Sequence, residues 1–268
     1  MNIIQTYRKY SSFFDVLKFL LLLCCLAWLV LRGSSRAGYH WQWYRIPEFL
    51  YTIDQGRFIP GPLLDGLAVT LEITAYSLVL ASLIGLLTAL LRLSSSRVGR
   101  GLARVYLEVI RNSPLLVQIF FLYFVIAPIF EIERFTAAVL ALSLFEGAYA
   151  SEIFRSGIVA VQRGQWEAAH SLGLSSFDTY RTIILPQAMK KILPPLTGQA
   201  VSLVKDSALV STIAVYDLTM QGRTIIAETF LTFEVWFTVA AIYLVITLCL
   251  SFCVGLLEKR TARNEQYA

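Results

Sequence analysis

Residues 73–91 read Ile-Thr-Ala-Tyr-Ser-Leu-Val-Leu-Ala-Ser-Leu-Ile-Gly-Leu-Leu-Thr-Ala-Leu-Leu, without a single charge. At 1.5 Å per residue, a helix of that length covers about 28 Å, close to the ~30 Å hydrocarbon core of a bilayer. Two further runs have the same character, Asn112 to Phe130 and Val235 to Leu257. Composition agrees with membrane spans. The chain has 268 residues, 57% apolar and 15% charged, whereas a soluble domain carries about a quarter charged residues.

Three weaker runs extend the pattern. Phe13 to Leu31 is apolar except for Asp15 and Lys18, which lie close enough to its end to snorkel. Arg8 and Lys9 before it also suit a signal peptide. The following Arg32-Gly-Ser-Ser-Arg-Ala-Gly lacks an Ala-x-Ala cleavage site, so an uncleaved anchor is favoured. Phe135 to Phe154 is interrupted by Glu146 and Glu152, and Ile192 to Tyr216 by Lys205 and Asp206. The expected fold is therefore an all-α bundle of about six transmembrane helices with both termini on one side.

Loop charges choose the side. Arg8 and Lys9, then Arg92, Arg97, Arg100 and Arg104, then Arg163, Arg181, Lys190 and Lys191, and finally Lys259, Arg260 and Arg263 all fall on the side of the termini. The short opposite loops hold only Arg134 and Arg223. Lysine and arginine concentrate in cytoplasmic loops, so the termini and the 156–191 loop are expected in the cytoplasm. Segment 32–62 runs against this, with Arg32, Arg36, Arg45 and Arg57, but it is longer and mixed with Glu48 and Asp54.

Several classes drop out. The net charge of +5 is loop charge, with no basic stripe of interleaved aromatics and no nucleic-acid module, so nucleic acid is excluded as a partner. Cys24, Cys25, Cys249 and Cys253 sit in apolar runs and read as small packing residues. His40 and His170 are isolated, so no metal site is expected.

The connector 159–191 is too long and too patterned to be a plain loop. Gln165 to Leu172 has good helix formers, and Gly173 is a helix stop. Ser175 with Asp178 caps a second short helix, expected to end near Leu185 because Pro186 restricts the residue before it. Two short helices joined at a glycine would present a knob to a partner. Amphipathic helices of this kind can equally rest on a membrane surface.

The same loop resembles the signature loop of ABC-importer permeases, Glu-Ala-Ala, three residues, Gly, nine residues, Ile-x-Leu-Pro. Glu167, Ala168, Ala169, Gly173, Ile183, Leu185 and Pro186 match every position. Arg111-Asn-Ser-Pro-Leu-Leu-Val-Gln, Ala148-Tyr-Ala-Ser-Glu-Ile-Phe-Arg, Val204-Lys-Asp-Ser-Ala-Leu-Val-Ser and Leu64-Asp-Gly-Leu-Ala-Val-Thr-Leu look like the polar amino-acid branch. The resemblance covers roughly residues 60–260. It implies a permease core at 63–258, with an N-terminal tail and extra helix at 1–32, a periplasmic segment at 33–62 and a cytoplasmic tail at 259–268. It implies that Gly164, Gln165, Trp166 and the matched residues couple to a separate ATPase dimer, which alone binds ATP and magnesium, and that a periplasmic amino-acid-binding protein delivers the solute. It also implies pairing with a second copy or a homologous permease. No cofactor is expected in this chain, and no Gly-x-x-x-x-Gly-Lys-[Ser/Thr] nucleotide loop occurs in it.

Glu146 and Lys205 fall at about 16 and 20 Å from opposite span ends, hence at comparable depth. Ionisable groups there are costly unless paired or wetted. They are either an ion pair with Asp206 that locks helices, or solute contacts. Arg111, Ser113, Pro114, Glu146, Glu152, Lys205 and Asp206 are the candidate pathway residues. The spacings Glu152–Arg155 and Glu108–Arg111 also suit local ion pairs. An ion-gradient-driven amino-acid transporter is the alternative, although it leaves the patterned loop without a purpose. A membrane enzyme is disfavoured, since no hydrolase or metalloprotease motif occurs.

Overall fold

A computed structural model describes the backbone of residues 3–36 and 39–265, and the side chains of 14–26, 28–30, 32–33 and 39–256. Arg8, Lys9, Arg36, Lys259, Arg260 and Arg263, used above to orient the chain, lie outside the described side chains. Contacts divide the chain into two units, at Tyr44 and Arg45. The first holds α1, Ile3–Arg36, in which Asp15 and Lys18 pair at 3.6 Å one turn apart.

The second unit opens with α2, Ile46–Leu50, and an antiparallel hairpin of β1, Tyr51–Asp54, and β2, Arg57–Pro60. Then comes α3, Pro62–Leu93, with proline at its first position, where the missing N–H costs nothing. Downstream are α4, Arg97–Arg111, α5, Leu115–Phe130, α6, Arg134–Val159, α7, Arg163–Ser171, α8, Leu185–Asp206, α9, Leu218–Thr229, and α10, Thr232–Glu265. Among the described residues, α3, α6 and α10 to Leu256 are long and apolar enough to cross a membrane, and α4 with α5 adds a bent fourth element. α8 has the length, about 33 Å, but carries charges at both ends.

Parallel α3 and α6 form the centre, in register from Tyr76 against Phe135 to Arg92 against Glu152. Small residues let them approach: a Cβ on Gly85 would lie 2.7 Å from the Ala150 Cβ. The Ser143 hydroxyl donates to the carbonyls of Val139 and Ser77. Leu115 and Ile119 of α5, with Leu203 of α8, pack on Ile73, Ala138 and Leu142.

Four expectations need correction. Residues 92–104 are not a plain loop, because α4 occupies most of them. Ser96 caps that helix by accepting the Gly99 N–H at 3.1 Å, and Val98, Leu102, Val105 and Val109 form an exposed apolar stripe. α4 meets α5 at 106°, so 112–130 does not continue as an independent straight span. The helix begun at Ser176 does not end at Leu185. It passes through a π-helical stretch, Thr179–Ile184, directly into α8. There the Leu185 N–H donates to Tyr180 O, five residues back. The wider turn makes room for the Pro186 ring and absorbs its missing donor. Finally, 192–216 is not one α-helix. α8 stops at Asp206, a 3₁₀ stretch covers Ser207–Ile213, and Ala214 reverses the chain at φ 56°.

Candidate functional site

The patterned loop is a lever standing on the ends of three helices. α7 ends in a Schellman motif. Gly173 N donates to His170 O at 2.9 Å, and Leu174 N to Ala169 O at 3.2 Å. Gly173 takes φ +74°, the left-handed conformation that this motif requires and that costs glycine nothing. Ser175 then caps the next helix, accepting the Asp178 N–H at 3.2 Å.

One face of α7 is glued down. Ala169 is buried, and Trp166 meets Tyr180 edge-on at 5.0 Å. Burial raises the Tyr180 phenol above its ordinary value. Ile158 and Val161 from the end of α6 share a buried cluster with Ile184, Ala188 and Ile192, and Trp166, Tyr180 and Ile183 pack against it. Polar ties finish the joint: the Gln187 amide donates to Gln165 Oε1 at 3.2 Å, and Lys191 Nζ donates to Ala160 O at 2.7 Å. A cavity of about 440 Å³ lies beneath, lined by Leu93, Ile158, Arg163, Trp166, Glu167 and Tyr180.

The other face is open. Gly164, Gln165, Glu167, Ala168, His170 and Pro186 are exposed, and Leu185 is half-buried. A Cβ on Gly164 would meet nothing within 4 Å among the described residues. Sequence reasoning missed Leu172 and Phe177, which stand 80% and 70% exposed at the tip of the lever. Two large apolar side chains so placed are what a partner's cleft would cover.

The second locus lies inside the bundle. Glu146, 1% exposed on α6, accepts a hydrogen bond from the Gln199 amide on α8. Asp206 lies within hydrogen-bonding reach of the same carboxyl. Glu146 Oε1 is buried with no donor among the described residues. The expected Glu146–Lys205 pair does not form, and Lys205 is exposed on α8. Gln199 was not legible, because a lone amide in an apolar run carries no charge to flag it.

The remaining candidates are dispersed. The Arg111 guanidinium lies 5.6 Å over the Tyr149 ring, and Glu108 accepts from Asn112 instead of pairing with Arg111. Ser113 and Pro114 form the α4–α5 elbow. There the Gln118 amide donates to Ile110 O at 2.8 Å and to Ser113 O and Oγ at 3.0 Å. Glu152 pairs with Arg155, as its spacing implied, and also takes Arg92 of α3 at 2.5 Å.

Comparison with known proteins gives a consistent picture. Residues 81–263 match the model of the family described as binding-protein-dependent transport system inner membrane component. The chain is 41% identical over 201 residues to the glutamine transport system permease protein GlnP of Escherichia coli K12, covering 74% of this chain and 92% of that protein. It is 36% identical over 220 residues to the arginine transport system permease protein ArtQ of Bacillus subtilis, covering 81% and 99%. A crystal structure of an amino acid ABC transporter with histidines superposes with TM-score 0.69 at 42% identity, covering 74% of this chain and 94% of that one.

Proposed function

The chain belongs to the family of binding-protein-dependent transport system inner membrane components, and from that membership we propose how its parts work. It is a membrane-embedded permease subunit of an amino acid ABC importer. Members of the family work with an ATPase and a substrate-binding protein. The alternative of an ion-gradient-driven transporter is not favoured.

The observation that carries the mechanical reading is the lever. A nine-residue helix, stopped at Gly173 and glued through Ala169 and Trp166 to the ends of α6 and α8, offers Glu167 and Leu172 outward, with Phe177 beside them on the turn that follows. In our reading this face seats in a cleft of the ATPase, in the cytoplasm with both termini. ATP and magnesium bind there and not in this chain. Six spans cross the membrane, one of them α1, and the domain limits are 1–32, 33–62, 63–258 and 259–268. An ATPase pair offers two clefts, so a second permease, identical or homologous, completes the transporter.

The solute route passes Glu146, Gln199 and Asp206, with Arg111, Ser113, Pro114 and Lys205 along it. Glu146 Oε1 is an open acceptor in a dry place. It suits the ammonium group of a polar amino acid, which would arrive as a zwitterion and match the carboxylates at one end. Glu152, held between two arginines, serves as an ion clamp at the base of the lever. In proteoliposomes holding this chain, its ATPase and the binding protein, labelled amino acids should accumulate only with ATP, and Glu146→Ala should lower that uptake. Accumulation driven by an ion gradient without any ATPase would contradict the reading.

A further inference from the structure

The hairpin at the end of α3 remote from the lever lies outside the matched range 81–263 and has no role in the transport reading. Its turn is Gln55-Gly56, with φ 49° and 76°, the pair of positive values that a tight two-residue hairpin turn uses. The register sorts its side chains. Tyr51 faces Pro60 and Ile53 faces Phe58, while Thr52 faces Ile59 and Asp54 faces Arg57. Directly opposed residues share a face of the ribbon. One face is therefore Tyr51, Ile53, Phe58 and Pro60, apolar but for the tyrosine hydroxyl. The other carries Thr52, Asp54 and Arg57, with Ile59.

Among the described residues, nothing in the bundle covers the apolar face. Ile53 is 69% and Phe58 63% exposed, and the Tyr51 and Phe58 rings stack on each other at 5.6 Å. A two-stranded ribbon alone is marginal in water, so such a face needs a partner to hold it.

The root fixes where that partner must be. The Gly61 N–H donates to Leu50 O at 2.7 Å, and the backbone of Phe49 passes so close that a Cβ on Gly61 would lie 2.6 Å from it. Ile46 shares a buried cluster with Leu63, Leu231 and Val235. The hairpin therefore stands level with the first turns of α10, where Trp236 is exposed and the long apolar run begins. Tryptophan at the end of an apolar span marks the headgroup zone of a bilayer.

We propose that the 51–60 ribbon is an amphipathic anchor lying in the headgroup zone of the membrane, with Tyr51, Ile53 and Phe58 turned into the lipid and Asp54 and Arg57 toward water. The exposed face amounts to on the order of 300 Å², well short of the ~800 Å² per partner that a stable protein interface buries. A lipid surface has no such minimum and is continuous with the spans beside it. The inference rests on the transport reading only for which leaflet is involved, the outer one.

The test uses the full transporter in proteoliposomes, with Cys24, Cys25, Cys249 and Cys253 replaced and a nitroxide placed at Ile53→Cys or, on the opposite face, Thr52→Cys. The label at 53 should collide with dissolved oxygen and be shielded from a water-soluble nickel chelate, with the reverse at 52. ATP-driven uptake, followed in the same vesicles, reports separately on the transport reading. Equal nickel exposure at both sites would overturn the anchor. So would shielding at 53 that appears only when the binding protein is added, since that would make the ribbon a protein-docking surface.

Discussion

Replacing Gly173 isolates what the lever's shape is worth. The residue has φ +74°, and a Cβ there meets no atom within 4 Å. Any effect inside this chain must therefore come from backbone conformation and not from a clash. Holding an L-residue in the left-handed region costs about 1–2 kcal/mol, and a β-branched side chain suffers most. The two hydrogen bonds that close the motif, to His170 O and Ala169 O, depend on that conformation. If docking requires the closed motif, affinity for the ATPase should fall by roughly 5- to 30-fold in Gly173→Val, less in Gly173→Ala, and least in Gly173→Asn, because asparagine tolerates the region. The assay is titration of the purified ATPase onto the permease in nanodiscs, with uptake measured in parallel. Unchanged affinity in Gly173→Val would refute the lever geometry. A loss in Gly173→Ala well beyond 30-fold would place a partner atom against the glycine and show the backbone account to be incomplete.

Other perturbations read the joints around the lever and the elbow. A Cβ on Gly157 would sit 2.3 Å from Ile192 Cγ1, so Gly157→Ala should cost about 1–3 kcal/mol and lower the melting temperature, and its loss should be less than additive with that of Ile192→Ala in the double variant, since both act on one contact. Gln118→Leu removes the donor to Ile110 O and Ser113 O at the elbow; freeing those carbonyls at about 1–3 kcal/mol each should lower the melting temperature, and an unaltered melt would show that the 106° bend stands without it. Glu152→Gln should loosen α3 from α6, and because the Arg92 and Glu152 side chains are 26% and 39% exposed the effect should stay at or below about 1 kcal/mol. The exchange Arg92→Glu with Glu152→Arg tests pairing in a double-mutant cycle, where additive losses would show that the two charges do not interact.

The legible features were those that repeat or break a simple rule. Charge-free runs at 73–91 and 235–257 marked α3 and α10, because lipid forbids charge over that length. Gly173 and Ser175 marked the lever's stop and restart, because each has one conformational task. α4 escaped notice because its apolar residues form only a stripe, Val98, Leu102, Val105 and Val109, among arginines, which a search for uniform runs passes over. Pro186 was misread because its rule assumes an α-helical turn, and a π turn removes the conflict. Gln199 and Gln118 matter through partners distant in sequence or held across an elbow, which no local pattern records. The hairpin was within reach: an X-Gly pair between two alternating apolar stretches is the pattern that the turn at Gln55 and Gly56 requires.

The decisive measurement is a crosslink from the lever's tip. With a single cysteine at Leu172→Cys in the cysteine-replaced chain, and the complete transporter reconstituted, a short bifunctional reagent applied to inside-out vesicles should capture the nucleotide-hydrolysing subunit. The yield should change when a non-hydrolysable ATP analogue closes that subunit. Labelling from the periplasmic face, or capture of lipid alone under every nucleotide condition, would contradict the claim that α7 is the part that ATP hydrolysis pushes.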